Sequence, residues 1–258
     1  MGRVIAVANQ KGGVAKTTTV HSLGAALAER GRRVLLVDLD PQAGLTYSAG
    51  IDADQLQQSL FDVLMGQVDA GAVLWEASGC DILPAAIDLA GAEVHLVART
   101  GREHALARSL APVLDRYDFV ILDCPPSLGI LTINGLTVAT EVLIPLQPET
   151  LSHRAVGQLL ETVEEVRTFT NPGLTVLGVV ATMYDGRTRL ARRILEQVGD
   201  IYRVSLLEPP IPRSIRVAES PGRGLSVLEH APRSTAAQAY RELAAVLDGE
   251  AAAPEPAF

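Results

Sequence analysis

The sequence predicts an α/β fold with a doubly wound, mostly parallel sheet and helices on both faces. Three observations predict it. Short apolar runs alternate with segments of helical periodicity along the chain, the order that builds a parallel sheet from successive β and α units. Hydrophobic residues make up 48% of the 258 residues but aromatics only 4%. The core is therefore mostly Val, Leu, Ile and Ala, a composition that suits strands covered on both faces. The first apolar run opens into a glycine-rich loop, and two later ones close on an aspartate. Polar chemistry is thus placed at the carboxyl ends of strands, where sheets of this kind hold ligands.

The elements follow in order. Residues 4–8 form a short apolar run, read as a buried strand, and residues 17–30 have helical periodicity ending at Gly31, a plausible C-cap. Residues 34–37 are a second buried strand, closed by Asp38-Leu39-Asp40-Pro41. From 42 to 79 the pattern is less regular, with a short helix expected at 60–65. A strand follows at 80–84, and an amphipathic helix is expected at 102–114. Residues 119–122 read as a strand closed by Asp123-Cys124-Pro125-Pro126. Later come strands at 141–145 and 174–181 and helices at 150–169, 190–198 and 234–247. No linker, repeat or second core is visible. Residues 1–249 are read as one domain, and the Ala/Pro/Glu-rich 250–258 as a disordered tail.

The bulk numbers narrow the function classes. No apolar run approaches a membrane span, and Met1-Gly2-Arg3-Val4 leads straight into a strand with no signal peptide. Cys80 and Cys124 lack metal-ligand spacing, and a reducing cytoplasm is the expected compartment. The net charge of −8 argues against coating nucleic acid by bulk charge. It leaves room for a local basic patch, and arginines do concentrate in the last third of the chain.

Only two lysines occur, Lys11 and Lys16, both in Gln10-Lys11-Gly12-Gly13-Val14-Ala15-Lys16-Thr17-Thr18; every other cationic side chain apart from histidine is arginine. An ammonium group is a compact charge that reaches between phosphate oxygens, whereas the guanidinium is a planar fork. The stretch lies between the first strand and the first helix. There the backbone N–H groups of Gly12 to Lys16 and the positive helix end converge on a phosphate chain. Thr17 is placed to offer its hydroxyl to Mg²⁺, and Thr18 to contact a nearer phosphate. Asp123, at the end of its strand, is the acid expected to hold Mg²⁺, and Asp40 the one able to orient an attacking water.

Lys-Gly-Gly-Val-x-Lys-Thr-Thr, then Asp-Leu-Asp-Pro-Gln, then Asp-Cys-Pro-Pro-Ser resembles the ParA/Soj branch of the deviant Walker A P-loop ATPases. The likeness extends through Thr182 to Thr188, Ile211 to Arg213 and Arg216 to Glu219, and so covers nearly the whole chain. The resemblance implies an ATP- and Mg²⁺-dependent ATPase that forms a homodimer with the nucleotides sandwiched at the interface. It implies that Lys16 holds its own subunit's phosphates and that Lys11, with nothing obvious to neutralise at home, crosses to the partner's nucleotide. Asp40 matches the acid needed for hydrolysis. Pro212 and Ser214 fall where the family contacts adenine, although Asn is usual at the second position. One departure lies inside the loop: the family has glycine where this chain has Ala15.

Three outputs compete for this core. The first is nonspecific binding of double-stranded DNA by the ATP-bound dimer, with a ParB-like or other cargo adaptor stimulating hydrolysis. Arg189, Arg192 and Arg193 share one helix face, and Arg187 and Arg216 match basic positions of the family. The expected setting is then the cytoplasm, at the nucleoid, where the ATPase segregates or positions a chromosome, plasmid or protein cargo. The second output is a membrane-cycling relative resembling MinD, for which the C-terminal residues lack a basic amphipathic anchor. The third is a metabolic enzyme on the same core, such as an iron–sulfur reductase or small-molecule ligase, for which no cysteine cluster or second-substrate motif is visible. Only about three residues precede the first strand, so no helix-turn-helix domain of the kind in larger partition ATPases is expected.

Overall fold

The computed structural model describes residues 2–150 and 152–249; the tail expected at 250–258 lies outside them. The first unit runs from β1 (Arg3–Val7) through α1 (Lys16–Glu29) to β2 (Val34–Asp38). Then come α2 (Gly44–Ser48), α3 (Leu60–Met65), β3 (Trp75–Ala77), β4 (Cys80–Leu83), α4 (Leu89–Val97), α5 (Ala105–Leu110), β5 (Phe119–Asp123) and α6 (Ile130–Val138). The chain continues with β6 (Glu141–Leu146), α7 (Ser152–Phe169), β7 (Thr175–Ala181), α8 (Arg189–Tyr202) and β8 (Leu206–Leu207). It closes with α9 (Ile215–Glu219), α10 (Val227–His230) and α11 (Thr235–Leu247).

The strands form one sheet in the order β3-β4-β2-β5-β1-β6-β7-β8. Every pairing is parallel except β3 with β4, a tight hairpin at one edge. Alternation along the central strands serves two apolar layers. Val4, Ala6, Leu35, Val37, Val120 and Leu122 point to the layer that buries α4 to α8. Ile5, Val7, Leu36, Phe119 and Ile121 point to the opposite layer, under α1 and α11. Helix α1 lies so close to the sheet that a Cβ on Gly24 would sit 2.6 Å from Leu36 Cδ2. Its N-terminus, which carries the lysine loop, is thereby set at the carboxyl ends of the central strands.

The central strands and the longer helices fall where the sequence places them, with ends shifted by a few residues. The short elements α2, β3, β8, α9 and α10 were not predicted, and three longer regions also differ. The helix expected at 102–114 is broken into a 3₁₀ turn at Arg102–His104, α5, and a second turn at Leu114–Arg116. Pro112 has no N–H to continue the ladder, so the helix ends just before it. Helix α6 is buried on most of its surface, Leu131, Thr132, Asn134, Gly135 and Leu136 included, so it has no polar stripe to signal a period. Helix α4 hides its period in the opposite way. Its outer face is also apolar, with Val94 and Val97 exposed.

Candidate nucleotide site

The carboxyl ends of β1, β2 and β5 converge. Val7 is in register with Asp123, and so is Asp38 on the other side. Beyond β1 the loop turns into α1 through Ala15, which takes φ 64° and ψ 34° and whose carbonyl accepts from the Thr19 amide at 2.9 Å. The glycine expected at this point would adopt this conformation freely; an alanine there carries about 1 kcal/mol of strain. Gly12 and Gly13 face open space, and a Cβ on either would meet nothing within 4 Å. A cavity of about 510 Å³ opens over this loop, lined by Gly12, Gly13, Ala15, Lys16, Thr17, Thr18 and Asp40. The rest of its lining includes Met183, Ile211, Pro212, Arg213, Ser214 and Val217, a mostly apolar wall with one cationic side chain, of a size and character that suits a flat base. Ser214 begins α9 without using its hydroxyl as a cap.

The electrostatics of the site centre on three charges. Lys16 is nearly buried, and among the described residues its ammonium donates to the Lys11 carbonyl alone, at 3.4 Å. Burial pulls its pKa below the usual lysine range, with Asp123 the main group opposing the shift. Asp123 is fully buried, and among the described residues neither carboxylate oxygen has a partner in good hydrogen-bond geometry, the Thr17 hydroxyl being the group that comes nearest to supplying one. Its carboxyl is pushed well above the usual range by burial and then by neighbouring Asp38, while the Thr17 hydroxyl and Lys16 oppose the rise. A buried carboxylate with two orphaned oxygens, facing a threonine hydroxyl, is the donor set a hard divalent cation takes. These residues fit Mg²⁺.

Asp38 is a member of the site that the sequence offered only as part of a strand ending. It accepts from the Thr46 amide at 2.9 Å, the Thr46 hydroxyl at 2.8 Å and the Asp40 amide at 3.1 Å. Burial still pushes its carboxyl up to about 6, despite the Thr46 and Asp40 hydrogen bonds. Asp38 thus fixes the turn that presents Asp40 to the cavity. Ala43, which starts α2, repeats the left-handed backbone of Ala15 with φ 52°. Val14 buries its side chain, and its carbonyl accepts from the Thr182 hydroxyl at 3.0 Å, so its backbone amide is the group left for a phosphate.

Lys11 corrects an expectation. It was read as having nothing to neutralise within its own subunit, but its Nζ lies 2.5 Å from Glu149 Oε2, just before α7. Sequence gave no sign of this pairing, because Glu149 stands 138 residues away and belongs to no motif. Lys11 is not among the residues lining the cavity.

The five arginines expected at DNA lie on segments that leave the cavity wall. Arg187 pairs with Asp185 at 2.9 Å, Arg192 donates to the Gly186 carbonyl, and Arg216 pairs with Glu219. Arg189 and Arg193 on α8 are exposed and have no such partner among the described residues. No helix among the described residues is long and apolar enough to cross a membrane.

The strain at Ala15 has a direct test. Ala15→Gly is expected to change stability by no more than about 1 kcal/mol in chemical denaturation, because relief of strain is offset by the looser unfolded chain. If the methyl crowds the phosphates, turnover rises; an unchanged rate removes Ala15 as a brake on hydrolysis.

Comparison with known proteins gives the following. An AAA-domain family model matches residues 2–176. The sporulation initiation inhibitor protein Soj of Bacillus subtilis is 44% identical over 246 residues, 95% of this chain and 97% of Soj. The chromosome partitioning protein ParA of Caulobacter vibrioides is 43% identical over 247 residues, 94% of this chain and 92% of its own. A structure named cobyrinic acid a,c-diamide synthase from Mycobacterium smegmatis, with bound ADP and magnesium, superposes with a TM-score of 0.86. It is 54% identical and covers 96% of this chain and 94% of that one.

Proposed function

The chain belongs to the ParA/Soj family of deviant Walker A ATPases, and from that premise we propose that it is an ATP-dependent molecular switch that segregates or positions a cargo along DNA. ATP and Mg²⁺ bind in the cavity over the lysine loop. Mg²⁺ there neutralises charge on the phosphates, and Thr17 and Asp123 hold it. Lys16 neutralises phosphate charge within the subunit, Pro212 and Ser214 contact the base, and Asp40 orients the attacking water. Lys11 reaches the nucleotide of a second copy, so the ATP state is a homodimer. A ParB-like or other adaptor stimulates hydrolysis and returns monomers. The protein works in the cytoplasm, at the nucleoid.

The observation that carries the DNA reading is the path of the basic segments. Met183 lines the cavity, Thr182 is hydrogen-bonded to the phosphate loop at Val14, and the same loop runs on to Arg187 and α8. Ser214 lines the cavity two residues before Arg216. A nucleotide that draws these walls together moves the arginines with them.

Co-sedimentation with nonspecific duplex DNA is expected to need ATP and to weaken as salt rises. Arg193→Ala removes one phosphate contact per subunit, so the slope of log K against log salt becomes shallower by about 1.8. Binding that ignores the nucleotide overturns this reading.

The name of the Mycobacterium smegmatis structure defines the competing reading, amidation of a corrinoid carboxylate. An enzyme that takes ammonia from an amide by thiolate attack needs an accessible, activated cysteine. Both cysteines here are buried, with burial pushing Cys80 up to about 12 and Cys124 also far upward. ATP turnover that depends on a corrinoid acid, and not on DNA or adaptor, would favour that reading.

A further inference from the structure

We propose that Glu149 is a positioning residue that keeps Lys11 within its own subunit until a second copy docks. The inference rests on the reading that Lys11 crosses to the second copy's nucleotide. The ion pair joins two built supports. On one side the Lys11 amide donates to Asn9 Oδ1 at 2.9 Å, and buried Asn9 donates from Nδ2 to the Pro145 carbonyl at 2.7 Å, on β6. On the other, the chain leaves β6 and folds back at once. The Glu149 amide donates to Ser152 Oγ at 3.0 Å, and buried Ser152 Oγ donates to the Gln147 carbonyl at 2.6 Å. Asn9 therefore ties the base of the lysine loop to the strand that delivers Glu149. Neither end needs to rearrange for the pair to form.

The pair also competes with assembly. An ammonium held at 2.5 Å by its own subunit's carboxylate must leave it to meet a phosphate on another copy. Two pairs break for each dimer formed. The side chains are partly exposed, 31% for Lys11 and 53% for Glu149, so each pair is worth only what a surface ion pair is worth. This is a modest brake on dimerisation that nucleotide charge overcomes.

The lysine count makes the test clean, because Lys16 is nearly buried and Lys11 is the other lysine. An amine-reactive reagent on the nucleotide-free monomer therefore reads Lys11, quantified by mass spectrometry on its own peptide. Glu149→Gln is expected to raise Lys11 labelling about 1.5- to 5-fold. With a non-hydrolysable ATP analogue, it is expected to lower the dimer dissociation constant about 2- to 30-fold, the effect of two such pairs. A merely structural role for Glu149 would weaken the dimer. Unchanged labelling means that the pair does not hold in solution, and raised labelling with an unchanged or weaker dimer means that it does not restrain Lys11; either result overturns the proposal. Lys11→Ala in parallel keeps the premise separate: if that variant dimerises normally, Lys11 does not cross, whatever Glu149 does.

Discussion

Lys16→Ala is expected to abolish useful nucleotide binding, and Lys11→Ala to preserve it and lose the dimer. The structure gives the two lysines different surroundings. Lys16 is nearly buried in the cavity, beside Asp123, with only a long contact to the Lys11 carbonyl. Its ammonium is poised for phosphate, and removing one partner of a buried charged contact costs about 2–5 kcal/mol, or roughly 30-fold to several thousand-fold in Kd. Lys16→Arg is not expected to restore full binding, because a planar fork does not reproduce a compact ammonium reaching between phosphate oxygens. Lys11 is held at the rim by Glu149 and does not line the cavity, so its loss leaves monomer affinity within about 3-fold, the scale of a screened surface charge. Titration with a fluorescent nucleotide measures the first effect, and sedimentation with an ATP analogue the second. Equal losses of affinity in the two variants would falsify the division of labour. Lys16 also opposes the upward shift at Asp123, so circular dichroism on Lys16→Ala is needed to separate lost binding from lost fold.

The sequence made the phosphate loop legible because its chemistry is local. Two lysines, two glycines and two threonines within nine residues leave few alternatives, and the strand before them is a plain apolar run. The sheet was legible for the same reason, since buried parallel strands are short and uniformly apolar. What lay hidden depends on partners distant in sequence or on helices without contrast. Glu149 carries no motif and acquires a role only when β6 lies beside β1. Asp38 looks like any strand-ending acid until parallel pairing sets it next to Asp123, whose carboxyl its charge helps push up. Helices α4 and α6 escaped notice because one is apolar on its outside and the other is buried on most sides. Ala15 was visible as a departure from the family pattern, but its consequence became clear only with φ 64°. Ala43, with the same backbone at the start of α2, drew no attention at all.

Asp123→Asn is expected to stabilise the ligand-free protein while removing its activity. Asp123 lies at the end of the central β5 strand, with both carboxylate oxygens buried, no well-formed hydrogen bond to them among the described residues, and Asp38 adjacent in the sheet. Burial and Asp38 both disfavour the charged form. A neutral amide of the same shape removes the like-charge repulsion and most of the desolvation cost. It can also donate to Asp38, which remains an acceptor. A buried polar group left unsatisfied costs about 1–3 kcal/mol, and relief of part of that cost appears as a higher Tm and denaturation midpoint. The same change removes the anionic donor that fits Mg²⁺. Metal polarisation of a phosphoryl group is worth several kcal/mol, so turnover falls about 100-fold or more. Added Mg²⁺ should raise the Tm of the nucleotide-bound wild type and leave that of the variant nearly unchanged. The two readouts move in opposite directions, and a folding defect cannot imitate that pattern, since it would lower both. A variant less stable than the wild type without nucleotide would show that Asp123 serves the fold, with its orphaned oxygens satisfied in solution by water. A more stable variant that still hydrolyses ATP at the wild-type rate would move the metal to another carboxylate, and Asp38 and Asp40 are the two close enough to shift the titration of Asp123.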